Sequence, residues 1–483
     1  MRARLSWKAV APAAVTLMIS LAVTANGYGY HRDELYFRML PSQWGYLDQP
    51  PLIPALARAL SVIDEPWALR IPAIACAVAA VFVIALIAAE VGGTPFAQGL
   101  AAWGSGFGAF ALLFGHVMLT ASLDLVVWPL IALFVIRAVV REQPRWWLLA
   151  GLVTGLSMYN KLLVAQLVVA LVLGLLIVGP RRALGTPHPY VAGVIAVVVG
   201  VPNLIYQATA GWPQLSMGAA LAESNADEVR VLMWPFLFLL IGPPLVAFWV
   251  AGIIGVFRRP SWRNLRFIVV ALAVVVLLTF AFGAQFYYPL GILVVVYAIG
   301  CVVVADWATT RGRRALTVSA VALNAVVSIV ISLPVVPESV IGNTPIAGMN
   351  QAVADQIGWP AYAATIEEVA HGADASVGTI AIITRNYGEA GALDRFGSAD
   401  LPPVFSGHNA LAAYGPPSDA VTTVVFVGRV SDDTAAGFDA CTVEGELDNG
   451  LNVDNEEQGV LITVCSGRSA PWTDLWRDIT HLD

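Results

Sequence analysis

The stretch Gly27–Pro54, GYGYHRDELYFRMLPSQWGYLDQPPLIP, decides how this chain is read. It lies between two apolar spans and carries His31, Arg32, Asp33, Glu34, Arg38 and Asp48 in a protein where only 12% of residues are charged. Adjacent carboxylates beside a membrane do nothing for insertion, so between hydrophobic spans they point to chemistry. The plain alternative is a solvated loop whose acids face water. The aromatic and proline content argues for a packed loop.

Working outward, 58% of the 483 residues are hydrophobic and mean hydropathy is +0.74. Soluble domains carry about 25% charged residues, so this composition is that of a polytopic α-helical membrane protein. Apolar spans run over 9–26, 70–90, 96–114, 123–140, 147–160, 162–179, 189–206, 232–257, 267–284, 288–305 and 316–334, about 11 in all. Most approach the roughly 20 residues that cross a bilayer. The first span, after Arg2, Arg4 and Lys8, reads as an uncleaved anchor rather than a signal peptide.

Charge divides the chain. Residues 1–334 hold 21 Lys/Arg against 12 Asp/Glu, and residues 335–483 hold 5 against 21. A membrane domain over 1–334, with a first extracytoplasmic loop at 27–69, is therefore expected to precede a domain over 345–483. With the N-terminus in the cytoplasm, inside loops carry fourteen Lys/Arg and outside segments of the membrane part six. That asymmetry places the 27–69 loop and the C-terminal domain outside a plasma membrane. In the C-terminal part, 361–371 reads as an amphipathic helix, 379–384, 421–428 and 460–464 as strands, and 387–396 as a helix, which predicts a small α/β domain. Cys441 and Cys465 lie in it, and an oxidising exterior favours their pairing over two unpaired core thiols. No Lys/Arg-rich nucleic-acid patch occurs.

The unusual polar residues gather at one expected membrane face. Asp33 could act as general base, with Glu34 tuning it or holding a cation. Asp124, in HVMLTASLD, reads either as a helix cap or as a site residue. With His116 and Glu34 it could bind a divalent cation (Mg2+, Mn2+ or Zn2+), and no other cofactor is expected. Lys161, in YNK, reads as a snorkelling lysine or as a cation for a phosphate. Tyr287 and Tyr288, in QFYYP, read as aromatic-belt residues or as phosphate contacts.

These residues resemble glycosyltransferase family 39, the group of protein O-mannosyltransferases and bacterial lipid A aminoarabinose transferases. HRDELYFRML and GYLDQPPLIPALARAL resemble its first extracytoplasmic loop. HVMLTASLD resembles its second acidic loop, GLSMYNKLLV its Leu-x-x-(Tyr/Thr)-Lys segment and FYYPL its Tyr-Tyr-x-x-Pro segment, shortened here because Pro289 directly follows Tyr288. NYGEAGALDRFG resembles the start of the tail domain of bacterial members.

The resemblance implies a GT-C fold and transfer of a sugar from a polyprenyl-phosphate donor to a protein, lipid or cell-wall glycan acceptor, usually with inversion. It assigns Asp33 as base with Glu34 beside it, Asp124 as the second acid, and Lys161, Tyr288 and Arg70 to the donor phosphate. The β-trefoil of the best-known eukaryotic members is missing. Two other readings stand beside this one: a transporter or flippase for lipid-linked sugars, and an envelope assembly factor whose C-terminal domain binds a partner. The tail, through Asn386 and Tyr387, is expected to influence the choice of acceptor.

Overall fold

A computed structural model describes residues 2–283, 285–373 and 379–482. Ala284, the last residue of the expected 267–284 span, and Asp483, the end of the expected 345–483 domain, lie outside the described residues. The chain forms two compact units. One comprises residues 1–25, 49–53 and 70–333, and the other 26–48, 54–69 and 334–483. The 27–69 segment, read from sequence with the membrane part, thus divides mainly with the C-terminal residues.

The first unit is a helical bundle. Among the described residues, seven helices are long and apolar enough to cross a membrane, and nine spans result if two bent pairs count as one each. Each expected span meets a helix or a helix pair, and the shortfall from eleven has a physical reason. Arg145–Ser157 and Val164–Ile177 have 13 and 14 residues. At 1.5 Å per residue they reach only about 20 Å of the ~30 Å hydrocarbon core.

The bent pairs are Pro95–Gly106 with Ala109–His116, at 58°, and Pro213–Leu239 with Pro243–Arg258, at 70°. The first breaks within a Gly-rich run, at Phe107–Gly108. The second breaks at Gly242, whose φ of +126° suits glycine alone, followed by Pro243 and Pro244, which supply no N–H. Continuous spans over 96–114 and 232–257 were expected. The second helix also starts far earlier than its apolar run, at Pro213, because ESNADEVR extends it with polar residues.

A break inside a membrane span exposes carbonyls that lipid cannot satisfy. Asn324, 2% exposed within the helix Arg311–Ser332, supplies the donors. Its Nδ2 donates to Ile241 O at 3.0 Å and to Phe107 O at 3.3 Å, one carbonyl at each break.

At another edge of this unit the buried Glu90 accepts from Arg137 Nε at 3.2 Å and Arg141 Nε at 2.7 Å, so an acid at a span's end is neutralised by two guanidinium groups.

The second unit contains a five-stranded mixed sheet: β1 Thr379–Thr384, β2 Val404–Ser406, β3 Val421–Val427, β4 Phe438–Glu446 and β5 Leu461–Arg468, in the order β2-β1-β3-β5-β4. β1 is parallel to β2 and β3, and β5 is antiparallel to β3 and β4. TIAIIT is fully a strand, buried along its last four residues, which is why its continuous apolar run was legible. Cys441 and Cys465 face each other across β4 and β5 and form a disulfide. Helices Trp359–Gly372 and Tyr387–Phe396 belong to this unit.

Replacing Asn324 by Leu should leave both breaks with unsatisfied carbonyls and cost about 1–3 kcal/mol per lost acceptor. Thermal unfolding of the purified protein should show a clear downward shift for Asn324→Leu and a smaller one for Asn324→Gln. Equal stability of Asn324→Leu and wild type would remove this account of the bends.

Candidate functional site

The stretch that opened the sequence reading is helical where it carries Arg32, Asp33, Glu34 and Arg38, while Asp48 lies between helices. Arg32–Met39 is a helix, and Leu52–Leu60 another. His31 is the N-cap of the first: its Nδ1 accepts from Asp33 N at 3.1 Å, and Glu34 Oε2 accepts from His31 N at 2.9 Å. This reciprocal box satisfies donors that the helix start leaves open. Glu34 is wholly buried in that task. The carboxylate beside it, Asp33, is partly exposed.

Asp33 Oδ1 accepts from Tyr387 Oη at 2.9 Å. Tyr387 starts the helix Tyr387–Phe396, which packs on Arg32–Met39 closely enough that Gly391 lies against the Leu35 backbone. A side chain at 391 would clash there. The Tyr387 ring stacks on Tyr36 at 4.6 Å, with the Arg32 guanidinium 5.0 Å from its centroid. Tyr36 Oη donates to Asp48 Oδ2 at 3.0 Å and accepts from Ala410 N at 3.2 Å. Arg32 Nη1 pairs with Glu456 Oε2 at 2.6 Å.

Tyr36, which the sequence reading did not single out, is thus part of the arrangement, and Asp48 joins it through that hydroxyl. Alternation of aromatic and charged residues in RDELYFR was the available signal. Asn386 caps the Tyr387–Phe396 helix and its Nδ2 donates to Glu457 Oε1 at 3.1 Å, a positioning task.

Burial raises several acids of this unit. It pushes the Asp48 carboxyl up to about 7, although the Tyr36 hydroxyl pulls the other way. It pushes Glu389 to about 8, with the Glu457 charge adding to it. Asp355 is also held well above the ordinary carboxylate range by burial, opposed by Arg32.

In the membrane unit, the N-cap of Thr120–Arg141 is Leu119, whose N donates to Ser122 Oγ at 2.9 Å. Asp124 lies about one turn further in, so it is not the cap that one sequence reading allowed. Its Oδ1 is 3.4 Å from Asn160 Nδ2, which also donates to Thr120 O at 2.9 Å. Lys161 Nζ sits 4.8 Å from the Tyr288 ring centroid and 5.9 Å from that of Tyr287. Asp124, Tyr287 and Tyr288 line a mostly apolar cavity, which also meets Gly106, Gly108 and Ile241 at the two helix breaks. The structure therefore gathers Asp124, Lys161, Tyr287 and Tyr288, with Asn160 as a support that orients Asp124.

Arg70 and His116 do different work. Arg70 is fully buried, and its Nη1 donates to Ala25 O at 2.8 Å and lies 3.0 Å from His116 Nε2. A guanidinium only donates, so His116 Nε2 accepts, and the lone pair a cation would need is committed to Arg70. Glu34, the third member of the suggested cation set, belongs to the other unit and is committed to its helix cap. Among the described residues, Glu367, His371 and Asp400 are the group whose ligand atoms converge, and they are largely exposed. No chemical step below is routed through a metal.

The raised acids carry a sign that can be tested. Between the ordinary value of 4.5 and about 8 the folded state keeps a proton on Glu389 that the unfolded chain releases, so stability falls as pH rises through that window. Glu389→Gln removes this penalty while keeping an acceptor for the backbone donors. The melting temperature of Glu389→Gln relative to wild type should therefore rise between pH 5 and pH 8. A constant difference across that range would show that Glu389 does not hold its proton.

Residues 48–206 match the family model described as dolichyl-phosphate-mannose-protein mannosyltransferase. Among solved structures the chain is similar to ArnT from Cupriavidus metallidurans in the apo state, with a TM-score of 0.58 and 13% identity over 94% of this chain and 96% of that one. It is also similar to the arabinofuranosyltransferase AftD from Mycobacteria, with a TM-score of 0.51 and 14% identity, covering 97% of this chain and 40% of that one. A comparison with curated proteins gives no significant match. At these identities the structural likeness is one of fold, and the family-model match covers the segment from Asp48 through Asp124 and Lys161. The chain is a multi-pass membrane protein whose fold is like that of ArnT, and its segment 48–206 matches the mannosyltransferase family model.

Proposed function

We propose that this protein transfers a sugar from a polyprenyl-phosphate donor to an acceptor at the extracytoplasmic face of the plasma membrane, with inversion. The N-terminus is then cytoplasmic and the C-terminal domain extracytoplasmic. The observation that carries this reading is the apolar cavity of the membrane unit, bordered by Asp124, Tyr287 and Tyr288, with Lys161 against the tyrosine rings. A polyprenyl chain needs apolar walls, and its phosphate needs a cation and hydroxyl donors close to them.

In the reaction the bond between the anomeric carbon and the phosphate oxygen breaks, and the acceptor oxygen forms the new bond on the opposite face. The lipid phosphate leaves with the electron pair, stabilised by Lys161 and Tyr288. The acceptor hydroxyl gives its proton to Asp33. Tyr387 holds that carboxylate in one rotamer through its 2.9 Å hydrogen bond, which supports a positioned base rather than a freely rotating surface acid. The acceptor is a protein hydroxyl, a lipid or a cell-wall glycan. Tyr387 belongs to the C-terminal residues, so that part of the chain contributes directly to the proposed base.

A second reading, a flippase or carrier for lipid-linked sugars, is favoured by one observation. The cavity touches two broken helices, a feature that transporters use at their binding sites. The carbonyls at these breaks are spent on Asn324, however, which leaves them poorly placed to coordinate a substrate or ion.

Transfer from radiolabelled polyprenyl-phosphate sugars in membranes separates the two. Asp33→Asn should reduce transfer by about a hundredfold or more while donor binding persists. Tyr387→Phe should lower kcat with little change in donor KM, and Lys161→Gln should raise donor KM. Equal transfer by wild type and Asp33→Asn would sink the assignment of the base, and altered lipid movement without transfer would favour the carrier.

A further inference from the structure

We propose that the membrane unit binds a phosphate group in a cleft formed by Arg181, Arg182, Arg263 and Arg266. The cleft lies where the helix Val164–Ile177 ends and the helix Arg266–Phe282 begins, and it is lined by these four arginines, by Asn264 and by the 178–180 turn, with no acid among its walls. None of these residues has a part in the proposed transfer.

The sequence builds the cleft from two turns. The two helices pack together, and Gly174 leaves room for the Phe267 backbone to approach, so one helix end meets the other's start. After Ile177 the chain folds back, with Gly179 N donating to Gly174 O at 3.1 Å. Arg181 Nε donates to Leu176 O at 2.8 Å, which fixes the base of that side chain on the helix end. Across the cleft, the turn Pro260–Leu265 runs into Arg266–Phe282, a helix of 17 residues whose first N–H groups and dipole favour an anion. Arg266 Nη2 donates to Phe257 O at 3.3 Å, while its buried Nε has no hydrogen-bond partner among the described residues.

The charge is poorly compensated from within. Arg182 Nη2 pairs with Glu142 Oε1 at 2.6 Å, and both side chains are well exposed. Arg263 is exposed and makes no side-chain hydrogen bond or ion pair among the described residues. Four arginines against one glutamate leave a formal charge of +3 around one concave site.

A belt of basic residues along a membrane surface needs neither concavity nor arginines pinned by backbone carbonyls. Guanidinium forks match the oxygens of a phosphate and hold them from more than one side. The group bound is therefore a phosphate, carried either by an anionic phospholipid headgroup or by a soluble phosphate.

The test uses the full chain in nanodiscs of phosphatidylcholine with a minority of phosphatidylglycerol. Native mass spectrometry reads the lipids retained, and a thermal-shift titration with inorganic phosphate runs in parallel. Wild type should retain phosphatidylglycerol in preference to phosphatidylcholine. Arg181→Gln/Arg263→Gln should lose about 25-fold in that preference, roughly fivefold for each guanidinium hydrogen bond to the phosphate that is removed.

Arg263→Lys should retain most of the preference that Arg263→Gln loses, and Arg311→Gln, at an exposed arginine outside the cleft, should change little. A phosphate-dependent thermal shift, lost in the double variant and without lipid preference, would assign the site to soluble phosphate. No preference and no shift, or an equal loss with Arg311→Gln, would overturn the proposal. Arg263 has no side-chain partner to lose among the described residues, so a folded Arg263→Gln protein keeps the test decisive.

Discussion

The membrane unit depends on one amide. Asn324 donates to a carbonyl at each of two helix breaks that would otherwise leave polar backbone open inside a membrane. A straight helix could not leave the space beside Gly106, Gly108 and Ile241 that these breaks make, and that space is the cavity which Asp124, Tyr287 and Tyr288 border. Glycine and proline permit the bends, and Asn324 makes them affordable in an apolar surrounding. A single buried donor, two breaks and one cavity are thus steps in the same argument.

The second unit solves a different problem with similar economy. Asp33 and Tyr387 lie 354 positions apart in sequence, yet their hydrogen bond joins the first turns of two short helices. The His31–Glu34 box fixes one start, and the Asn386–Glu389 box fixes the other. Gly391 lets the helices approach. Each box commits a carboxylate to backbone donors, which leaves Asp33 as the partly exposed acid of its pair. The DE dipeptide therefore contains two carboxylates with separate work: Glu34 shapes the helix and Asp33 presents its side chain.

What could be read in the sequence follows from what each segment is made of. Apolar runs such as TIAIIT and 290–305 show themselves because burial on all sides leaves no polar residues to interrupt them. The bends stayed hidden because Phe107–Gly108 and Gly242–Pro243 sit inside runs whose hydropathy is continuous, and a window average does not register one positive φ. The helix Arg32–Met39 stayed hidden because its charged and aromatic residues face polar partners rather than a core, so no apolar stripe marks it. Strand β4, Phe438–Glu446, was missed because most of its side chains are exposed.

At the site, residue types pointed correctly to polar clusters, while their division of labour came from contacts distant in sequence. Arg70 illustrates this: an arginine near an expected phosphate site turns out to clasp a helix end and His116.

The distribution of polar groups also bears on which activity the membrane unit suits. A carrier must bind its cargo and then weaken that hold as it changes state, so its polar contacts work best when they can exchange partners. Here polar groups that contact the cavity's lining residues are held in place. Asn324 is divided between two carbonyls, Asn160 is anchored on Thr120 O, and Lys161 lies against two aromatic faces. Such fixed donors suit a site that meets developing charge on a leaving phosphate, where reorganisation during the reaction would raise the barrier. The walls are apolar and the polar groups are pinned, and that combination favours transfer from a lipid-linked donor over movement of the donor itself.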